Sequence, residues 1–103
     1  MSNYAEDVAK FTSSVDQAAV DAIVKYCGIA LRNRDSSLVS ATDQAELDRV
    51  RDGFAAKKLG LAPDAAATAI QGVCEKMKAD RSKSRVTFYY LLAEATNTLE
   101  KLH

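Results

Sequence analysis

The chain has 103 residues, enough for one domain, and a formal net charge of zero, which removes any global electrostatic case for a nucleic-acid or membrane partner. Hydrophobic residues make up 48% and charged residues 27%, a balance that excludes disordered and collagen-like classes. A chain of this size can bury roughly 60–70% of its unfolded surface in one modest core.

Asn3 with Glu6 forms a capping-box pattern for a short first helix from Tyr4 to about Lys10, with Tyr4, Val8 and Phe11 spaced to clip it onto the body. After a turn at Thr12-Ser13-Ser14, Ser14 with Gln17 makes a second box, and Asp16 suits the positive end of a helix dipole. Val20, Ile23, Val24, Cys27 and Leu31 then recur at helical spacing, which predicts a helix from Val15 to about Leu31 with Gly28 near its end. Arg32-Asn33-Arg34-Asp35-Ser36-Ser37 reads as a polar turn, and Leu38-Val39 as a loop or single turn tucked under the core.

Thr42 or Asp43 caps the next helix, and Asp43 with Glu46 repeats the box pattern. Leu47, Val50 and Phe54 share one face of that helix. Lys57-Lys58 suit its C-terminal dipole, and Gly60 is the expected stop before Pro63. Asp64 begins or caps a fourth helix, which Ala66, Ala69, Ile70, Val73, Cys74 and Met77 make amphipathic to about Lys78. From Arg85 to about Leu102 the longest helix is expected. The segment Val86 to Ala93 is apolar nearly all round, so this helix must be either central to the core or shared with a partner chain.

Sliding the sequence by 47 positions aligns Ala18-Ala19, Ala22-Ile23, Cys27, Arg34, Ser37 and Val39 with Ala65-Ala66, Ala69-Ile70, Cys74, Arg81, Ser84 and Val86. Residues 15–40 and 62–87 are therefore expected to form similar helix–turn segments with the two cysteines at equivalent, largely buried positions. The reading is an all-α fold: a single domain, 1–103, forming a compact bundle of about five helices with a pseudo-two-fold duplication of an αα-hairpin.

The chemistry-bearing residues are sparse. The single histidine is His103, and Cys27 and Cys74 stand far apart without a histidine between them, so neither a nucleophile pair nor a zinc site is indicated. No glycine-rich nucleotide fingerprint occurs. No cofactor, no metal and no catalytic residue is assigned, and enzyme activity is not expected. The acidic, polar start carries no secretory leader pattern, and no apolar run approaches the ~18 residues of a membrane span. The expectation is a cytoplasmic chain with reduced thiols.

One charged constellation stands out. Lys76, Lys78, Arg81, Lys83 and Arg85, against Glu75 and Asp80, give +3 within residues 75–85. With Ser82 and Ser84 at a helix start, and Arg34 in the echoed turn, these residues make a candidate anion, nucleotide or partner-binding site: Arg81, Ser82, Lys83, Ser84, Arg85 and Arg34. Paired Arg–Ser turns would alternatively lock the two halves together. The charge is also split, with nine acids and six bases in residues 1–52 against five and eight in residues 53–103. That split and the all-round apolar start of the last helix favour a homodimer, formed partly through Phe88–Leu92, over nucleic-acid binding. The competing cover for that helix is the segment Tyr4–Phe11.

The runs Arg34-Asp35-Ser36-Ser37-Leu38-Val39, Lys58-Leu59-Gly60-Leu61 and Asp80-Arg81-Ser82-Lys83-Ser84-Arg85-Val86-Thr87-Phe88-Tyr89-Tyr90-Leu91-Leu92-Ala93 resemble a small bacterial family catalogued as domain of unknown function 2853. The resemblance covers essentially the whole chain. It implies a bacterial, cytosolic, all-helical protein and transfers no activity, cofactor or site residue. Function thus reads as unknown, with protein–protein interaction or self-association ahead of anion binding.

Overall fold

The computed structural model describes residues 4–32, 37–79 and 83–102. The fold is all-α. Its α-helices are α1 (Tyr4–Val8), α2 (Gln17–Cys27), α3 (Gln44–Val50), α4 (Pro63–Lys76) and α5 (Arg85–Ala95). Two short 3-10 turns follow α2 and α5, at Gly28–Arg32 and Leu99–Leu102, and a π-helical stretch, Arg51–Lys58, continues α3.

Tertiary contacts decide where several helices begin. The cap proposed at Asn3 lies outside the described residues. α2 starts later than Val15, with Asp16 rather than Ser14 as its cap: the Asp16 carboxylate accepts from the Ala19 amide at 3.2 Å. The cause is Tyr90. Its hydroxyl accepts from the Asp16 amide at 2.8 Å and donates to the Ser14 carbonyl at 3.4 Å, which holds this segment out of the helix. At α3, Asp43 is the cap as expected, accepting from Ala45 and Glu46 amides at 3.0 and 3.4 Å. Glu46 does not close the box, because it turns into the protein. α4 opens with Pro63 in its first turn after Ala62, so Asp64 lies within the helix and does not cap it.

Helix ends follow backbone chemistry. Gly60, at φ 69°, ends the π-helical stretch, and the Lys101 ammonium donates to the Leu59 carbonyl at 3.0 Å. The last helix does not reach Leu102. It stops at Ala95 in a Schellman motif with Asn97 at φ 61°: Thr98 N–H donates to Ala93 O at 2.8 Å and Asn97 N–H to Glu94 O at 3.2 Å. The Thr96 hydroxyl also donates to Leu92 O at 2.9 Å. Two threonine hydroxyls, Thr96 on Leu92 O and Thr98 on Ala93 O, thus flank the left-handed Asn97 where a helix whose apolar pattern would carry it further comes to an end.

α5 lies at the centre, flanked by α1, α2, α4, the π-helical stretch and the terminal 3-10 turn. Every residue from Val86 to Ala93 is buried. Phe88 and Tyr90 are 0% exposed and Tyr89 7%. The expected subunit contact through Phe88–Leu92 is therefore corrected: one chain covers this helix, and the segment containing α1 is part of the cover. Val8 is fully buried, Asp7 accepts a hydrogen bond from the buried Thr87 hydroxyl, and Thr12 donates to Glu94 at 2.7 Å.

The echoed segments meet each other. Leu38 and Ser84 form an isolated antiparallel bridge, with Arg85 N–H donating to Ser37 O and Val39 N–H to Lys83 O, both at 2.8 Å. The echo does not extend to equivalent hairpins, since α5 begins at once with Arg85 whereas the first half waits until Gln44. Cys27 and Cys74 are free thiols, each half-buried at the core margin rather than largely buried.

The Asn97 turn generates a stability prediction. A left-handed conformation costs a non-glycine residue about 1–2 kcal/mol, with Asn among the mildest cases. Asn97→Gly should leave the protein as stable or up to about 1 kcal/mol more stable, and Asn97→Val should lose about 1–2 kcal/mol, read from urea midpoints at constant slope. Equal stability of the valine and glycine variants would count against this turn.

Candidate functional site

The first residue of α5 organises the charged chemistry. Arg85 donates to Tyr89 Oη at 2.9 Å, to the Leu38 carbonyl at 3.3 Å, and to Glu46, with which it forms an ion pair. Both side chains are shielded, at 13% exposure for Arg85 and 9% for Glu46. The other Glu46 oxygen accepts from Arg49 Nε and Nη2 at 3.2 and 2.9 Å. Burial works against the Arg85 cation, but Tyr89 and Glu46 more than offset it and raise its pKa.

Aromatic rings extend this cluster to the surface. The Arg85 guanidinium lies 5.7 Å from the Tyr89 ring centre. Tyr89 stacks on Phe54 at 4.1 Å with planes 16° apart, and Tyr26 meets Phe54 edge-on at 5.3 Å. Tyr26 is 45% exposed. Burial pushes the neighbouring Cys27 thiol up to about 11, with Arg85 opposing the shift. Burial raises Cys74 as well, against the influence of Lys83. Both sulfurs are thiols, not thiolates, at neutral pH, which makes them weak nucleophiles.

Of the sequence candidates, the structure places Lys83, Ser84 and Arg85 at the head of α5; Arg34, Arg81 and Ser82 lie outside the described residues. Lys83 supplies the bridge carbonyl taken by Val39, and the Ser84 hydroxyl is buried without a hydrogen-bond partner among the described residues. Arg85 fastens the two halves: its side chain reaches Leu38 and Glu46, and its backbone amide donates to Ser37 O. Glu46 was not singled out as a partner from sequence, though its spacing carried the signal. Glu46, Val50 and Phe54 recur every four residues, which puts the carboxylate on the buried face.

A second feature is an open groove between α3 and α4. Its walls are Ala41, Gln44 and Leu47 on one side and Gln71, Gly72, Cys74 and Glu75 on the other. Further along it continues past Asp48, Arg51, Ala67 and Ile70. Leu47 and Cys74 are half-buried apolar groups in its floor. Among the described residues no cluster of His, Cys, Asp or Glu is placed to hold a metal, and no helix is long and apolar enough to cross a membrane.

Two outcomes follow from the cluster. Glu46→Gln should cost about 3 kcal/mol in chemical denaturation, because it leaves the Arg85 charge buried without its counter-ion, whereas Glu46→Leu with Arg85→Leu should recover most of that loss. A double variant as unstable as the single would contradict the pairing. For Cys27 the folded state holds its proton longer than the unfolded state. That stabilisation is present below the unfolded thiol's pKa and is lost as pH rises toward about 11. In a Cys74→Ser background, the alkylation rate of the native protein should titrate near this value. A midpoint at about 8.5, the free-thiol value, would contradict the burial.

No curated protein matches the chain. A family model described as a protein of unknown function (DUF2853) matches residues 3–100. With nearly its whole length matched and its fold all-α, the chain belongs to the DUF2853 family of proteins of unknown function.

Proposed function

We propose that the protein works by contact with another polypeptide chain, in the first place a second copy of itself, in the cytoplasm of a bacterium. The observation that carries this reading is the groove between α3 and α4, where Leu47 and Cys74 present apolar surface to solvent between polar walls. The half-buried free thiols favour a reducing compartment, and the family resemblance favours a bacterial source.

The alternative, anion, nucleotide or nucleic-acid binding at Arg81–Arg85, has less support. Arg85, the member best placed at a helix start, is already engaged by Glu46, Leu38 and Tyr89. The chain is neutral overall, so no broad basic surface assists a polyanion.

Light scattering at micromolar protein separates the readings when run beside heparin chromatography. The expected result is a mass approaching twice 11.1 kDa that falls on dilution, with elution from heparin at low salt. A constant monomer mass together with salt-resistant heparin retention would reverse the order of the two readings.

A further inference from the structure

Helix α4 contains a glycine that its own chain does not use. Gly72 lies inside the 14-residue helix, is exposed, and has no positive φ. Among the described residues, a Cβ at this position would meet no atom within 4 Å. Glycine in a helix interior is less favourable than alanine, so the position gives up helix stability without any gain in close packing within the chain. What the missing side chain does is open the middle of the groove wall, between Gln71 and Cys74.

The charges on the same face are arranged about that point. Asp64 lies in the first turn of α4, Lys78 follows its last turn, and both are exposed. Asp64, Thr68, Gln71, Gly72, Glu75 and Lys78 recur at helical spacing and are all exposed, so they form one outward stripe. Gln71 is midway between Asp64 and Lys78. At about 1.5 Å rise per residue, Asp64 sits about 10 Å from it along the axis, and Lys78 lies in the turn just past the opposite end of the helix. Reversing a second copy about Gln71 sets Asp64 of each against Lys78 of the other, with Glu75 one turn inside Lys78, and the two helix dipoles oppose. Lys78 pairs with Glu75 at 3.4 Å, but both side chains are more than 70% exposed, so this contact competes weakly with a second subunit.

Resting on the reading that the chain self-associates, we infer that α4 is the two-fold contact of a homodimer. Two copies pack α4 antiparallel, with the axis beside Gln71 and Gly72 and Asp64 of each copy opposite Lys78 of the other. Gly72 lets the helices approach closely at the axis, and Leu47 and Cys74 supply the apolar floor on each side. A contact built on one helix pair falls at the small end of specific interfaces, below about 1,200 Å², so the dimer gives way to monomer on dilution. An isologous contact of this kind closes at two copies.

Sedimentation equilibrium on the full chain tests the contact. The wild type should show a concentration-dependent monomer–dimer equilibrium. Asp64→Lys places like charges together twice in each dimer and should weaken it about tenfold. Adding Lys78→Asp should restore the affinity to within about threefold, although both changes remain unfavourable to the helix ends of the monomer. Gly72→Leu should abolish the dimer while thermal unfolding monitored by circular dichroism shows a folded chain. Gly72→Ala should raise the melting temperature, consistent with a glycine not required for folding. A wild type that stays monomeric at all concentrations overturns self-association itself. A dimer that persists unchanged in both Asp64→Lys and Gly72→Leu overturns the α4 contact and leaves self-association standing.

Discussion

A carboxylate and a guanidinium, Glu46 and Arg85, are buried together where the first half of the chain meets the head of α5. Removing two charges from water is costly, and their attraction repays that cost only with good geometry and with partners for the remaining donors and acceptors. Those partners are present. Arg49 serves the second oxygen of Glu46, while Leu38 O and Tyr89 Oη take further Arg85 donors. The pair therefore works only if α3, the Ser37–Val39 segment and α5 are all in place. It selects one arrangement of the halves where apolar packing alone would tolerate several.

The same logic runs down α5. A helix buried on all sides brings its polar side chains into the core, and each must find a partner there. Thr87 finds Asp7 in α1, Tyr90 finds Ser14 and Asp16 ahead of α2, and Tyr89 finds Arg85 one turn back on α5 itself. These bonds attach separate segments to one central helix. They also explain how a chain of 103 residues covers Phe88, Tyr89 and Tyr90 by itself. The short α1 could not persist as an isolated helix; its place is set by Val8 and by the Asp7–Thr87 bond.

Local signals were legible in the sequence wherever backbone chemistry alone decides. Asp43 capping α3, Gly60 in the left-handed conformation and Pro63 opening α4 are of this kind. Signals failed where a distant residue decides. Ser14 has good cap chemistry, yet Tyr90, far along the chain, takes its carbonyl. Glu46 fits a capping box, yet Arg85 draws it inward. Asn97 is a third kind of case: its left-handed turn was written locally in Thr96-Asn97-Thr98, but the apolar Leu99 and Leu102 at helical spacing masked it. Arg85 was legible as a cation at the start of α5, while its counter-ion Glu46, 39 residues away, was not. The repeat predicts two similar helix–turn segments, but the different starts of α3 and α5 make the following helices inequivalent, and the segments instead touch through the Leu38–Ser84 bridge.

The buried pair also shapes the outer surface. Successive residues on an α-helix point about 100° apart, so a Glu46 held inward by Arg85 turns Leu47 to the side. That side faces α4, and Leu47 becomes the floor of the groove along with Cys74. Gln44, one turn before, forms the rim and donates to Asp48 at 2.8 Å. The wall across the groove is the part of α4 where Gly72 adds no side chain. Rotating α3 by one residue so that Leu47 faced Arg85 would bring Asp48 to the groove and part the guanidinium from Glu46. The cost of that alternative keeps the groove apolar in its floor and polar at its rim.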